Sequence, residues 1–180
     1  IGAGKAAVVT DEIERFAPEG IVLKSGETVE ADIIVSATGL NMNVFGNIDF
    51  QIDGEFVDFS NRLTWRGLMI SGIPNMVYHF GYFRSSWTLR VELVNDFVTR
   101  LWQHMANEGH KVVLPEPASS DQPTRPWVTP DNVNAGYMMR ANPYLWKQGE
   151  HPRWQHFFEY EHEAQAIPAI DVAADGLAYQ

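Results

Sequence analysis

One apolar stripe constrains this chain more than any other feature. Leu89, Leu93, Val94, Phe97, Leu101 and Met105 recur at helical spacing, with mostly polar residues between them. A helix with such a stripe is stable when the stripe is pressed against other apolar surface. It therefore commits the rest of the chain to supplying a cover. The spacing predicts one long helix over 87–108. Ser85, Ser86 or Thr88 offers an N-cap, and Gly109 offers a stop.

Upstream the pattern changes to short β-branched and apolar runs divided by turn residues. Ser25-Gly26 separates the runs at 21–23 and 28–29, a hairpin signal. If 8–16 is also extended, the three segments make an antiparallel meander. Ile33-Ile34-Val35 reads as a buried strand covered on both faces, ending at the small residues Ala37-Thr38-Gly39. Asp53-Gly54 marks a second hairpin. A short buried strand over 67–70 leads into Ser71-Gly72-Ile73-Pro74-Asn75. Residues 115–135 are rich in Pro, Ser, Asp and Asn and predict a surface loop. Beyond them, Tyr137, Tyr144, Trp146, Trp154, Phe157, Phe158 and Tyr160 predict an irregular segment packed onto the body through its rings.

The composition is sufficient for such a core. The 180 residues are 45% hydrophobic and 12% aromatic, enough for one domain or one and a half. Thirteen basic against 23 acidic residues give a net charge of -10. That field repels nucleic acid and anionic membrane alike. The chain has no cysteine, which excludes disulfide and thiol chemistry and is compatible with the cytoplasm. No apolar run approaches the roughly 18 residues of a membrane helix. No initiator Met is present, and patterned sequence begins at residue 1, so a cut N-terminus is expected.

Few motifs carry chemistry by themselves. Gly2-Ala3-Gly4-Lys5-Ala6-Ala7 has G-x-G-x-x-A spacing, but a dinucleotide turn needs a strand before it and a helix after it. Only Ile1 precedes it. The segment after it reads either as helix, from Ala6, Val9, Ile13 and Phe16, or as strand, from Val8-Val9-Thr10. Glu159-Tyr160-Glu161-His162 has E-x-x-H spacing without a second copy, so a solvated helix face is expected rather than a metal site. His151 and His156 read as surface or packing residues, and His79 as a hydrogen-bonded, partly buried one. No nucleophile elbow occurs. The best site is composite: the strand end at Ala37-Thr38-Gly39, the loop at 71–75 and the helix start at Trp87. Ligands gather at such strand ends and helix N-termini in α/β proteins, and a helix N-terminus favours partial negative charge.

Three motifs, taken in order, identify a family. They are Asp32 to Gly39 (D-x-x-x-x-A-T-G), Gly72-Ile73-Pro74-Asn75 and Ser86-Trp87-Thr88-Leu89. From about residue 4 to about 165 the chain resembles the C-terminal part of flavin-containing monooxygenases. It is most similar to their Baeyer–Villiger branch, which includes the ethionamide-activating enzymes. The later stretches "AGYMMRANPYLWKQG" and "PRW" are similar to that branch as well.

The resemblance implies an α/β fragment of a Rossmann-like flavoprotein with two dinucleotide-binding domains, holding a mixed sheet, antiparallel hairpins and one long helix. Residues 1–37 would end the NADPH-binding domain, 38–114 would complete the FAD-binding domain, and 115–180 would form an aromatic extension. Ala37, Thr38, Gly39, Asn75, Trp87, Thr88 and Leu89 would lie at cofactor. Trp65, Tyr82 and Arg84 would line the substrate pocket. Gly2 and Gly4 would not be the phosphate turn, because the family's glycine motifs and its catalytic residues lie upstream. The implied chemistry uses FAD, NADPH and O2 to form a C4a-peroxyflavin that oxidises a ketone, sulfide or amine. The fragment alone would be inactive without its N-terminal half. A related flavin reductase, or an acidic partner-binding module without catalysis, remains open from sequence.

Overall fold

The computed structural model describes residues 1–180. They form two compact units, Ile1–Gly39 and Leu40–Gln180.

The first unit is built on a meander. Strands β1 (Ile13–Ala17), β2 (Gly20–Leu23) and β3 (Thr28–Glu30) pair antiparallel in that order, as the hairpin signal predicts. Gly20 is required where β2 meets β3: a Cβ there would lie 2.1 Å from the Val29 carbonyl oxygen. The first strand begins at Ile13 rather than at residue 8. Neither the helix nor the strand reading of 6–10 is realised. Gly2-Ala3-Gly4 forms a turn closed by a 3.0 Å bond from the Gly4 N–H to the Ile1 carbonyl, with no helix after it.

The buried strand expected over 33–35 is absent. Ile33 is 82% exposed and Val35 83%, and neither belongs to a ladder. A strand covered on both faces exists only where neighbours bond to its edges and pack on its faces. No segment of these 180 residues does so.

The second unit begins with two hairpins. β4 (Gln51–Ile52) and β5 (Glu55–Phe56) are joined by Asp53 and Gly54, at φ 52° and 88°. Two successive positive φ angles match the right-handed twist of the flanking strands. β6 (Thr64–Trp65) and β7 (Met69–Ile70) come next, turned through Arg66 and Gly67. Helix α1 then runs Trp87–Glu108 and stops at Gly109 in the left-handed conformation, as its sequence pattern requires. The remaining elements are β8 (Val113–Pro115), β9 (Arg125–Pro126), α2 (Gly136–Ala141), β10 (Lys147–Gln148), α3 (Tyr160–Ala166) and β11 (Leu177–Tyr179). β8 pairs with β11 and β9 with β10. The expected mixed sheet reduces to small antiparallel pairs; parallel pairing occurs only at the isolated Leu63–Lys147 bridge. No helix is long and apolar enough to cross a membrane.

Two apolar clusters fill this unit. In one, Val94, Phe97 and Leu101 of α1 meet Leu63, Trp65, Leu68 and Met69 of the second hairpin, with Trp154, Ile167 and Ile170 from the C-terminal segment. Each such side chain contributes roughly 1.5–3 kcal/mol by leaving water. The other gathers Ile70, Tyr78, Trp127, Leu145, Trp146 and Phe158. The surface loop expected over 115–135 is irregular apart from β9, yet Trp127 and Val128 within it are fully buried. Rings anchor this segment where backbone ladders are scarce. Of the later aromatics, Trp146, Trp154 and Phe158 are buried, whereas Tyr144 stands in solvent.

Candidate functional site: the start of helix α1 and the charges beneath it

Helix α1 starts where Ser86 leaves the helical region, at φ −63° and ψ 136°. Ser86 thus occupies the N-cap position, but its hydroxyl makes no cap bond. It lies 2.7 Å from the Thr88 hydroxyl instead. The first turn contains no acidic side chain. The positive end of the helix dipole is therefore uncompensated by a carboxylate of its own. Trp87 opens the helix and is 53% exposed. Its indole lies against Gly81, where a Cβ would come within 2.2 Å of the ring. Phe80 packs beside it, ring centroids 5.0 Å apart.

At the end of this first turn the helix buries a charge. The Arg90 guanidinium donates to Glu163 Oε2 at 2.7 Å, Glu163 Oε1 at 3.3 Å, the Phe80 carbonyl at 2.9 Å and the Gly67 carbonyl at 3.0 Å. Tyr82 donates its hydroxyl to Glu163 Oε2 at 2.8 Å. Arg90, Tyr82 and Glu163 are all buried. Gly67 is obligatory beside them: a Cβ there would lie 2.5 Å from the His156 ring and 2.8 Å from Arg90 Nη2. Burial and the neighbouring Glu163 carboxylate push the Tyr82 phenol well above its ordinary value.

His156 completes the cluster. The Trp127 indole N–H donates to its Nδ1 at 3.2 Å, so the neutral ring carries its proton on Nε2. That atom faces Glu163 Oε1 across 3.4 Å, longer than a good bond. A second proton would have to enter at Nδ1, against the Trp127 N–H. Burial first, and the Arg90 charge second, hold the His156 pKa well below 6.5. The imidazole is therefore neutral despite its carboxylate neighbour.

The other residues singled out by the sequence take varied positions. Thr88 is exposed and Leu89 half-buried in the first turn of α1. Asn75, at φ 55°, has both amide atoms engaged: Nδ2 donates to the Lys111 carbonyl at 3.1 Å and Oδ1 accepts from the Val113 N–H at 2.9 Å. Trp65 is fully buried against Phe97, its N–H donating to the Asp175 carbonyl at 2.9 Å. Arg84 is exposed. Ala37, Thr38 and Gly39 belong to the first unit and are exposed; Gly39 has φ 87° and open space around it.

Sequence reasoning missed Arg90, Glu163 and His156 as a cluster. The expected solvated face of 159–165 is only partly so, because Glu163 points inward. Two signals were present. Arg90 falls on the line 90-94-97-101, the face that is actually buried. Glu163 precedes Ile167, the buried C-cap residue of α3, at i+4. No group of three His, Asp or Glu side chains is placed to hold a metal ion.

Comparison with curated proteins gives this arrangement its setting. The FAD-containing monooxygenase EthA of Mycobacterium tuberculosis is 41% identical over 176 residues, 98% of this chain and 35% of EthA. The probable FAD-binding monooxygenase AlmA of Acinetobacter baylyi is 38% identical over 165 residues, 92% of this chain and 33% of AlmA. By sequence, this chain belongs to the FAD-containing monooxygenases. It spans about a third of the length of these curated relatives. The putative FAD-containing monooxygenase MymA of M. tuberculosis is 35% identical over 179 residues, 99% of this chain and 36% of MymA. No family model matches the chain, and no solved structure does.

The residues of this monooxygenase chain fit a flavin in part. An uncapped, acid-free helix start with exposed Trp87 and Thr88 suits the electronegative edge of an isoalloxazine ring. Asn75 has one bond on each polar atom, which leaves its exposed amide one N–H and one lone pair. Gly2-Ala3-Gly4 offers no pyrophosphate cradle, because no helix comes after it.

Proposed function

We propose that this chain is the C-terminal part of an FAD- and NADPH-dependent monooxygenase of the Baeyer–Villiger type. It would insert one oxygen atom into a ketone, or add one to sulfur or nitrogen. The balance is substrate, O2, NADPH and a proton giving oxygenated substrate, water and NADP. The observation that carries this reading is the 41% identity to EthA across 98% of the chain. The uncapped start of α1 supports it.

When bound, the flavin supplies the redox chemistry. The roles left to this chain are to position and to exclude water. The peptide N–H groups at Trp87, Thr88 and Leu89 would be the groups that hold the flavin. Residues 1–37 would end a nicotinamide-binding domain and 38–114 would complete a flavin-binding one, with the small residues Ala37-Thr38-Gly39 near cofactor. Asn75 shapes the loop ahead of β8 through its backbone bonds. Arg84, exposed ahead of α1, and the buried rings of Trp65 and Tyr82 would be the candidates for the substrate side. Segment 115–180 closes over the apolar body and keeps water from it. A reducing cytoplasm, where NADPH is available, suits a chain without cysteine.

The test is isotopic. The polypeptide extended N-terminally to the length of its relatives is given FAD, NADPH and panels of ketones and sulfides under 18O2. One labelled oxygen atom per product molecule is expected. NADPH consumption that yields only hydrogen peroxide or reduced flavin, with every substrate, would favour a reductase.

A further inference from the structure

Beneath the start of α1 lies a knot that the proposed reaction does not itself require. Arg90 sits on the turn that carries Trp87, Thr88 and Leu89. Its guanidinium is held from three directions: by the turn of the β6–β7 hairpin at Gly67, by the approach segment at Phe80, and by Glu163 on α3. Backbone carbonyls alone would leave the cation uncompensated in a dry site. Glu163 supplies the opposite charge through two hydrogen bonds, and Tyr82 donates a third to the same Oε2 that accepts from Arg90 Nε. The fork geometry of an arginine–carboxylate pair sets orientation as well as distance. α3 therefore sets the angle at which α1 presents its first turn.

We propose that Glu163 is a positioning residue for the flavin-facing end of α1. The C-terminal segment would thus act on the cofactor site from behind without touching cofactor. This rests on the flavin reading of α1 given above.

The experiment uses the N-terminally extended polypeptide and reads the visible spectrum and dissociation constant of bound FAD. Glu163→Gln keeps the shape and removes the charge. Asp175→Asn is the control, because it breaks the other substantially buried ion pair, Arg66–Asp175, which does not touch the α1 start. Glu163→Gln is expected to shift the flavin band and weaken binding about tenfold. Asp175→Asn is expected to lower the melting temperature while leaving both flavin readouts as in the wild type. Tyr82→Phe removes one hydrogen bond only; it is expected to move both readouts the same way by a smaller amount, and it carries the test if Glu163→Gln does not fold. Wild-type spectrum and affinity in the folded Glu163 or Tyr82 variants would overturn the proposal. So would equal flavin effects from Asp175→Asn. A wild-type extended polypeptide that leaves FAD free would instead overturn the flavin reading, and this proposal with it.

Discussion

Single residues carry the sharpest consequences. His156 is neutral in the fold, with a pKa well below its ordinary 6.5. Below pH 6.5 the unfolded chain therefore binds a proton that the folded chain refuses, and stability rises with pH across that window. The contribution is complete above about pH 6.5 and is lost as pH falls from there. The melting temperature is expected to drop between pH 7 and pH 5, and His156→Phe to flatten most of that slope. An unchanged slope in the variant would remove His156 from the account. Gly67→Ala forces a Cβ into His156 and Arg90 at a φ of 66°; a loss of roughly 2–4 kcal/mol in denaturant unfolding is expected.

At the scale of elements, helix α1 was the most legible part of the sequence. Its length follows from the stripe, and its end follows from Gly109. The buried face, however, is centred on Arg90, Val94, Phe97 and Leu101, with Leu89 and Leu93 at its margin. Hydrophobicity alone found Val94, Phe97 and Leu101 but passed over Arg90, whose charge is neutralised by a partner 73 residues away. The hairpins at Asp53-Gly54 and Ser25-Gly26 were legible because turn chemistry is local. The strand at 33–35 was not, since a buried strand is defined by neighbours rather than by its own residues. Leu101→Ala is expected to cost about 2–5 kcal/mol. Trp102→Ala, one residue along on the exposed face, is expected to cost less than about 0.5 kcal/mol. Comparable losses from both would misplace the buried face.

The whole chain joins a well-packed unit to a sparsely packed one. Both apolar clusters lie within Leu40–Gln180, so that segment alone is expected to give a cooperative thermal transition. A broad, non-cooperative melt would contradict this packing. In Ile1–Gly39, by contrast, Val8, Phe16, Ile33 and Val35 are exposed. Under the proposed reading these side chains would be covered by the remainder of a chain about three times as long. The candidate site was legible through three short motifs in order, which point to a flavoprotein, but not through catalytic geometry. Trp87, Thr88 and Leu89 open α1 as the helix signal predicts, whereas the Arg90–Glu163 pair needed the fold to be seen.

The most direct test of the flavin reading is an FAD titration, monitored by flavin fluorescence and the visible spectrum. It compares the 180-residue chain with the polypeptide extended N-terminally to the length of its relatives. The account predicts no binding by the short chain and stoichiometric binding by the long one. Tight stoichiometric binding by the short chain alone would contradict it, because Gly2-Ala3-Gly4 would then be a working phosphate turn.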